Sequence, residues 1–172
     1  MPASKQHGIT LIELMVTIAV IAILATIAVP SFQEIIKRNQ VAAQTNELIA
    51  LIHLARNEAI RRNPVGDDFV LVDLFTEGAA WRGAVFPPGE TATQEGCPDG
   101  AIRCASHTTG ELTPSSLELY FNNRGYSVEG NGNLRAPPVE LQLDHKNATS
   151  NRHKRCITIF LGGQVESAPG EC

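Results

Sequence analysis

The sequence predicts an α+β fold, in which one long N-terminal helix packs on a C-terminal antiparallel β-sheet domain. The first observation is a run without charged residues from Leu14 to Val29. The second is an apolar stripe at helical spacing between Ser31 and Arg62, in a stretch that lacks Gly and Pro. The third is a series of short apolar segments after Gly66, which turn residues separate and no helix interrupts. Such a series favours antiparallel pairing.

The apolar run predicts a helix that crosses a membrane. Counted from Ile9, it supplies about 21 residues, the length that a helix needs to span a hydrocarbon core of roughly 30 Å. The run shows no polar-apolar alternation, so a barrel strand is not expected. Pro30 follows it, and because the helical pattern resumes at once, we expect Pro30 to kink the helix rather than end it. Residues 9–29 are therefore the predicted transmembrane half and residues 30–63 the amphipathic half.

Glu13 is the one charged residue within this apolar stretch. A carboxylate inside an apolar span is costly and is usually functional, so a cationic partner is expected. Lys5 lies upstream, but Gly8 interrupts the local pattern between the two. Alternatively, Glu13 lies in the first helical turn at headgroup depth, where the helix dipole favours a negative charge.

The second half of the helix is predicted to form core. Its charged side chains fall mostly off the stripe, and Asn63-Pro64 with Gly66 ends the helix. The predicted stripe consists of Leu48, Leu51, Ile52, Ala55 and Ala59.

The remainder, residues 64–172, is predicted to be one β-rich globular domain of ordinary size. A long polar loop is expected from Pro87 to about Pro114, and loops of this length are usually functional or disordered. The predicted strands are 69–75, 81–86, 117–121, 126–128, 139–143 and 156–161, and Gly162-Gly163 then turns the chain into 164–166.

All four cysteines lie after the apolar run. An even number in an oxidising compartment indicates disulfides, and the spacings are not those of zinc sites. Four cysteines allow three connectivities. The preferred one contains the two local pairs, Cys97–Cys104 and Cys156–Cys172. The second would tie the C-terminal tail to a strand.

The order Gly8-Ile-Thr-Leu-Ile-Glu13, followed by an apolar helix with Pro30, resembles the class III signal of type IV prepilins and type II secretion pseudopilins. The resemblance implies a pilin-like fold and a leader, residues 1–8, that a prepilin peptidase removes between Gly8 and Ile9. The new N-terminus is then methylated. Ile9 departs mildly from the family, which usually has Phe or Met there. Glu13 becomes the fifth mature residue, and in the family its carboxylate pairs with the terminal amine of a neighbouring subunit.

The leader carries Lys5 and no acidic residue, which keeps it in the cytoplasm. The resemblance then implies a single-pass protein of the bacterial inner membrane with a periplasmic C-terminal domain. Its implied partners are major and minor pilins or pseudopilins, the prepilin peptidase and the inner-membrane assembly platform. An ordinary secretory signal would have a shorter apolar core and an Ala-x-Ala-like site. A plain signal anchor stays open, but it does not explain Gly8 followed by Glu13.

Three further segments resemble the GspH/FimT subgroup, which contains the FimT and FimU minor pilins and the minor pseudopilin GspH. They are Ala55-Arg56 with Glu58-Ala-Ile60, then Phe121-Asn-Asn-Arg-Gly125, and last Cys156-Ile-Thr-Ile with Gly163. The resemblance implies a FimT/FimU-like minor pilin at the filament tip, with the type II secretion pseudopilin as the alternative. We find no nucleophile elbow and no phosphate-binding glycine loop, so neither an enzyme nor a cofactor is predicted.

A basic cluster is formed by Lys146, Arg152, Lys154 and Arg155 and could contact DNA or a partner protein. Alternatively, it is a solvated loop edge that protects a strand from aggregation. Some FimT proteins are DNA receptors and carry Gly-Arg-x-Arg near the C-terminus, but residues 163–166 here read Gly-Gln-Val-Glu. Without those cations, and with a net charge of -4, DNA binding loses its main electrostatic term. His145 and His153 near Asp144 are weak metal candidates, so no metal site is predicted.

Overall fold

The computed structural model describes residues 9–66, 68–78, 80–90, 100–148 and 151–172. One helix, α1, precedes nine strands, and a short 3-10 helix, Asn151–His153, lies before the eighth strand. The elements are α1 Leu11–Arg62, β1 Val70–Glu77, β2 Ala80–Phe86, β3 Arg103–His107, β4 Gly110–Thr113, β5 Ser116–Phe121, β6 Ser127–Val128, β7 Val139–His145, β8 Lys154–Ile159 and β9 Val165–Pro169.

The chain divides into two compact units, Met1–Ile36 and Lys37–Cys172. In the first unit, the described residues belong almost entirely to α1, and none of them is buried. By length and composition this part of α1 could cross a membrane. The helix continues through Pro30, as the sequence predicts, although proline removes one backbone hydrogen bond. A bend at Pro30 stays a prediction.

The second unit contains two antiparallel sheets. The larger has the strand order β3-β2-β1-β5-β6 and the smaller has the order β4-β7-β8-β9. The predicted antiparallel β-sheet domain is confirmed, and the structure adds that its strands divide into two sheets. The chain passes from one sheet to the other through Thr108 and Thr109, between β3 and β4.

The predicted polar loop from Pro87 to Pro114 also needs correction, because β3 and β4 both lie within it. Each is the edge strand of its sheet. An edge strand needs few apolar residues: β3 buries only Ala105 fully, and β4 buries Gly110 and Leu112. Their alternation is too short and too polar to be recognised before the pairing is known.

The predicted stripe of α1 is confirmed as core. Each of its five residues is fully buried, and they pack with residues of both sheets, including Trp81, Phe121, Leu141 and Ile157. Burial of a large apolar side chain contributes about 1.5–3 kcal/mol relative to exposure. The C-terminal half of α1 is thus the common surface on which the two sheets assemble.

Candidate functional site

The residue before α1, Thr10, caps the N-terminus of the helix. The Thr10 hydroxyl accepts a hydrogen bond from the Glu13 backbone N–H at 3.3 Å, and α1 begins at Leu11. Thr-x-x-Glu is the residue order of a capping box, in which the hydroxyl satisfies a backbone donor that the first turn leaves open. This role of Thr10 is not among the sequence predictions, although the Thr-x-x-Glu spacing signals it.

The Glu13 side chain extends from this first turn. Throughout the described part of the chain, no hydrogen bond or ion pair to its carboxylate is formed. The helix dipole favours a negative charge at this position. The carboxylate can accept hydrogen bonds from a cation that another molecule supplies. The predicted cleavage site is described only in part, because Ile9 is 75% exposed and Gly8 lies outside the described residues.

The described side chains of α1 from Leu11 to Ile36 are mostly apolar, and none of them is buried. Thr17 and Thr26 donate their hydroxyl hydrogens to the carbonyl oxygens of Leu14 and Ile23, at 2.8 and 2.7 Å, so these hydroxyls are satisfied locally. A continuous apolar surface of this kind is stable only against lipid or against other apolar helices. The large exposed side chains between Leu11 and Ile36 are Leu11, Ile12, Leu14, Met15, Val16, Ile18, Val20, Ile21, Ile23, Leu24, Ile27, Val29, Phe32, Ile35 and Ile36.

In the second unit, the buried side-chain amide of Gln44 forms hydrogen bonds between α1 and the sheets. Gln44 Oε1 accepts a hydrogen bond from the Trp81 indole N–H at 3.0 Å, and Gln44 Nε2 donates to Thr109 Oγ1 at 2.7 Å. Gln44 is only 2% exposed. A side chain at Gly110 would overlap the Gln44 amide oxygen and crowd the Trp81 ring, so it would displace this hydrogen-bonded pair. The amide therefore holds the β3–β4 connection, where the chain first passes from the larger sheet to the smaller one.

The same side of α1 carries a hydrogen-bonding contact to β3. His107 Nε2 lies 2.6 Å from Glu47 Oε2, and the His107 ring lies 5.2 Å from the Trp81 ring, centroid to centroid. Both side chains are partly exposed, so the contact contributes little to the free energy of unfolding. It does orient β3 against the helix.

Arg56 forms a second contact between α1 and the strands of the second unit, which we call the body. It lies at the end of the body where the β5–β6 and β8–β9 turns meet. Arg56 Nε donates to the carbonyl oxygen of Gly125 at 3.2 Å. Gly125 and Gly163 both have positive φ angles, 74° and 72°. A Cβ at Gly163 would overlap Gly125 O and come within 2.7 Å of Arg56 Cδ. These three residues belong to the three separate segments that carry the subgroup resemblance.

The predicted basic cluster is spread over three elements. Lys146 follows β7, Arg152 lies in the 3-10 helix, and Lys154 and Arg155 begin β8. Lys154 is paired: its Nζ lies 2.6 Å from Glu171 Oε1 and 4.0 Å from Asp144 Oδ2. The hydrogen bond that Lys154 donates to Glu171, with a smaller contribution from the charge of Asp144, raises the pKa of Lys154. Its charge is therefore largely compensated within the chain.

A disulfide joins Cys156 in β8 to Cys172, with the two Cα atoms 4.9 Å apart. It ties the residues after β9 back to the neighbouring strand. Cys104 lies in β3, but Cys97 lies outside the described residues. The Cys97–Cys104 pairing stays a prediction.

His145, which the sequence raises as a metal candidate, has a structural role. Its Nδ1 accepts a hydrogen bond from the Asn147 backbone N–H at 3.1 Å, so its Nε2 carries the hydrogen and donates to Gln40 Oε1 at 2.9 Å. Burial, followed by the charges of Lys37, His153 and Lys146, lowers the pKa of His145. Nowhere in the described ranges do three or more His, Cys, Asp or Glu side chains form a group that could hold a metal ion.

Two family models match the chain. The prokaryotic N-terminal methylation motif matches residues 3–29, and the type II transport protein GspH matches residues 44–163. The second match covers more than half of the chain and includes Gln44, Arg56, Gly125 and Gly163.

Several curated relatives match a shorter segment. A fimbrial protein of Pseudomonas aeruginosa is 50% identical over 46 residues, which are 27% of this chain and 30% of that protein. The type IV major alpha-pilin of Moraxella bovis is 51% identical over 47 residues, 27% and 30% of the two chains. The type IV major fimbrial protein FimA of Dichelobacter nodosus is 52% identical over 44 residues, 26% and 28%. The chain thus spans about three tenths of the length of these relatives.

Among solved structures, the chain is similar to the type IV minor pilin FimU of Pseudomonas aeruginosa. The match has a TM-score of 0.47 and 16% sequence identity, and it covers 77% of this chain and 90% of FimU. A second crystal structure of FimU gives a TM-score of 0.45 over 74% of this chain and 92% of FimU.

Proposed function

This chain belongs to the family of the type II transport protein GspH, and from that premise we propose that it is a FimT/FimU-like minor pilin that enters a type IV pilus through its N-terminal helix. We propose residues 1–8 as the leader, 9–29 as the membrane and filament-core helix, 30–63 as the amphipathic half and 64–172 as the periplasmic β-rich domain. The chain then acts as a structural subunit of filament assembly or of the filament tip, and no reaction is proposed for it.

The observation that carries the proposal is the combination of an uncovered apolar helix with an unpaired Glu13. The N-terminal methylation motif matches the same stretch of chain. Cleavage between Gly8 and Ile9 would create a cationic amine at Ile9. In a bundle of apolar helices, a carboxylate of one subunit and an amine of the next would each need the other as a counter-charge. The pair would set the register between neighbouring subunits.

A conservative substitution separates this docking role from helix capping. Glu13→Gln keeps a residue type that a capping box accepts at this position but removes the charge. Removal of one partner from a buried pair costs about 3–5 kcal/mol. We therefore expect Glu13→Gln and Glu13→Ala to be processed normally but to be lost from sheared pili, as measured by immunoblotting of the pilus fraction. Glu140→Gln, at an exposed position of β7, is the matched control and should be incorporated like the unmodified chain.

Equal incorporation of Glu13→Gln and the unmodified chain would contradict the docking role. Incorporation of Glu13→Gln but not of Glu13→Ala would assign the residue to helix capping instead.

The second candidate is a minor pseudopilin of type II secretion, and the name of the matching family model favours it. The matched relatives are named as fimbrial proteins or pilins, which favours the pilus. Deletion of the gene in its host, followed by complementation, distinguishes the two. A pilus subunit should affect surface pili and leave exoprotein secretion unchanged, whereas a pseudopilin should affect exoprotein secretion.

For location and partners, we propose a single-pass protein of the inner membrane with the body in the periplasm. The proposed partners are the prepilin peptidase, the assembly platform, and major and minor pilins. Thiol-reactive probes that cannot cross the inner membrane test this after reduction, since Cys156 and Cys172 should react from the periplasmic side only. We do not include DNA among the partners, because Lys154 is paired with Glu171 and β9 carries Glu166 where the DNA receptors have a cation.

A further inference from the structure

A basic cleft lies in the second unit, between the start of its helical part and the smaller sheet. We define the cleft by Arg38, Asn39, Arg152, Arg155 and Pro169, with Val41, Ala42 and Lys154 completing its lining. Its volume is about 280 Å³. The cleft therefore brings together cations from α1, the 3-10 helix and β8, which are far apart in the sequence.

Within the described residues, no carboxylate pairs with the arginines of this cleft. As far as the structure describes the chain, the guanidinium groups of Arg38, Arg152 and Arg155 form no hydrogen bond or ion pair. The two carboxylates beside the cleft, Glu171 and Asp144, both lie against Lys154. Three arginines thus line one cavity, and no described carboxylate pairs with them.

The walls of the cleft are held in place by backbone pairing. Arg155 pairs with Leu143 on one side and with Pro169 on the other. The Gly170 N–H donates to Lys154 O at 3.0 Å, and the disulfide from Cys156 to Cys172 fixes the chain beyond it. The wall that carries Pro169 is therefore fixed relative to Arg155.

We propose that this cleft binds the phosphate group of an anionic phospholipid headgroup. Guanidinium groups recognise phosphate through paired, charge-assisted hydrogen bonds, and the Asn39 amide adds a neutral donor beside them. Arg38 comes nine residues after Val29 in the sequence, close behind the segment that could span a membrane. The net charge of -4 is unsuited to a long polyanion, whereas a single headgroup needs only the local cations. The cleft then holds the unassembled subunit against a phosphate-bearing surface.

Native mass spectrometry of the full chain in detergent tests the proposal. Phosphatidylglycerol, phosphatidylcholine and inorganic phosphate are titrated separately against the unmodified chain and against Arg38→Gln/Arg155→Gln. Arg103→Gln/Arg124→Gln is the matched control, because both residues are exposed and the change in net charge is the same. Each arginine near an anionic headgroup should contribute about fivefold in affinity, so the cleft variant should bind phosphatidylglycerol on the order of 25-fold more weakly. The control should bind it normally.

Unchanged emission from Trp81, the single tryptophan, verifies folding of each variant. If the glutamine variant does not fold, Arg38→Lys/Arg155→Lys replaces it and should show an intermediate loss, since lysine keeps the charge but not the paired donors. Equal binding of phosphatidylglycerol by the cleft variant and the control would overturn the proposal. Binding of inorganic phosphate without binding of phosphatidylglycerol would show that the ligand is free phosphate and not a lipid headgroup, which would overturn the proposal. Arginine-dependent binding of duplex DNA, without binding of phosphatidylglycerol, would replace it by a nucleic-acid site.

Discussion

The Arg56 guanidinium donates its Nε hydrogen to the carbonyl oxygen of Gly125 at 3.2 Å, and Gly163 packs against the same side chain. The contact joins α1 to the turn between β5 and β6 in one sheet and to the turn between β8 and β9 in the other. Both glycines have φ angles that L side chains rarely adopt. These residues therefore share a structural reason for their identities, namely the closure of the body around the helix.

Substitution of Gly163 by alanine should destabilise the body. The backbone there has a φ of 72°, which costs roughly 1–2 kcal/mol for a residue with a Cβ. The overlap of the added Cβ with Gly125 O and Arg56 adds to this, so we expect a loss of at least about 2 kcal/mol in the free energy of unfolding. Urea denaturation of the full chain in detergent, followed by Trp81 emission, measures it. Gly162→Ala, with open space around the added Cβ, should change it by less than about 0.5 kcal/mol.

Gln44→Leu should lower the free energy of unfolding, because Gln44 holds the β3–β4 connection on α1. The substitution leaves the buried indole N–H of Trp81 without an acceptor, at a cost of about 1–3 kcal/mol. It also removes the donor to Thr109. The measurement is again urea denaturation, and the emission maximum of Trp81 should shift because its hydrogen bond is lost. Asn46→Leu, on the exposed side of the same turn, is the control, and an equal effect of the two variants would argue against the role of the amide.

The sequence predicts much of this body but not its polar contacts. The helical stripe and seven of the nine strands in the described residues follow from periodicity and turn signals, because burial leaves a repeating apolar signal in the sequence. Gln44 carries no such signal, since a glutamine on a helix is ordinarily exposed. Its acceptor role depends on Trp81, 37 residues away, and is visible only once the elements are packed.

The candidate sites also differ in whether they depend on a local motif or on tertiary packing. Gly8, Ile9 and Glu13 can be recognised from a local motif because the N-terminal methylation motif occupies one short stretch of chain, residues 3–29. The cap formed by Thr10 is equally local, since it depends only on the Thr-x-x-Glu spacing. In contrast, the cleft that joins Arg38 to Arg155 depends on tertiary packing, so the sequence predicts only its β8 side as a basic cluster.

The stability of the body should fall in mildly acidic solution because of His145. Its folded pKa is lowered, mainly by burial, from an ordinary value of 6.5. Between the folded pKa and 6.5, the unfolded chain binds more protons, so stability is constant above that range and decreases as the pH falls through it. The cationic groups that face His145 are Lys37, His153 and Lys146, and its hydrogen-bond partners are Gln40 and Asn147.

Thermal unfolding from about pH 7.5 to about pH 5 measures this slope. His145→Gln should flatten the slope at the cost of some stability at neutral pH, whereas His53→Gln, on the exposed face of α1, should leave it unchanged. A slope that persists in full in His145→Gln would assign it to another group.

Removal of the disulfide between Cys156 and Cys172 should also lower stability. The two cysteines are 16 residues apart, and closure of a loop of this length contributes about 3 kcal/mol in the chain-entropy model. Cys156→Ser/Cys172→Ser should therefore show a lower urea midpoint and faster hydrogen exchange in β9. Free thiols at both positions in the oxidised protein would contradict the pairing.

The most direct test of filament entry is the N-terminus of the chain within the filament. Peptide mass spectrometry of sheared and purified filaments should find this subunit beginning at Ile9, with one methyl group on its terminal amine and residues 1–8 removed. Filaments that contain the chain with its leader still attached would contradict the proposal, because no new amine would then exist for the Glu13 carboxylate of a neighbour.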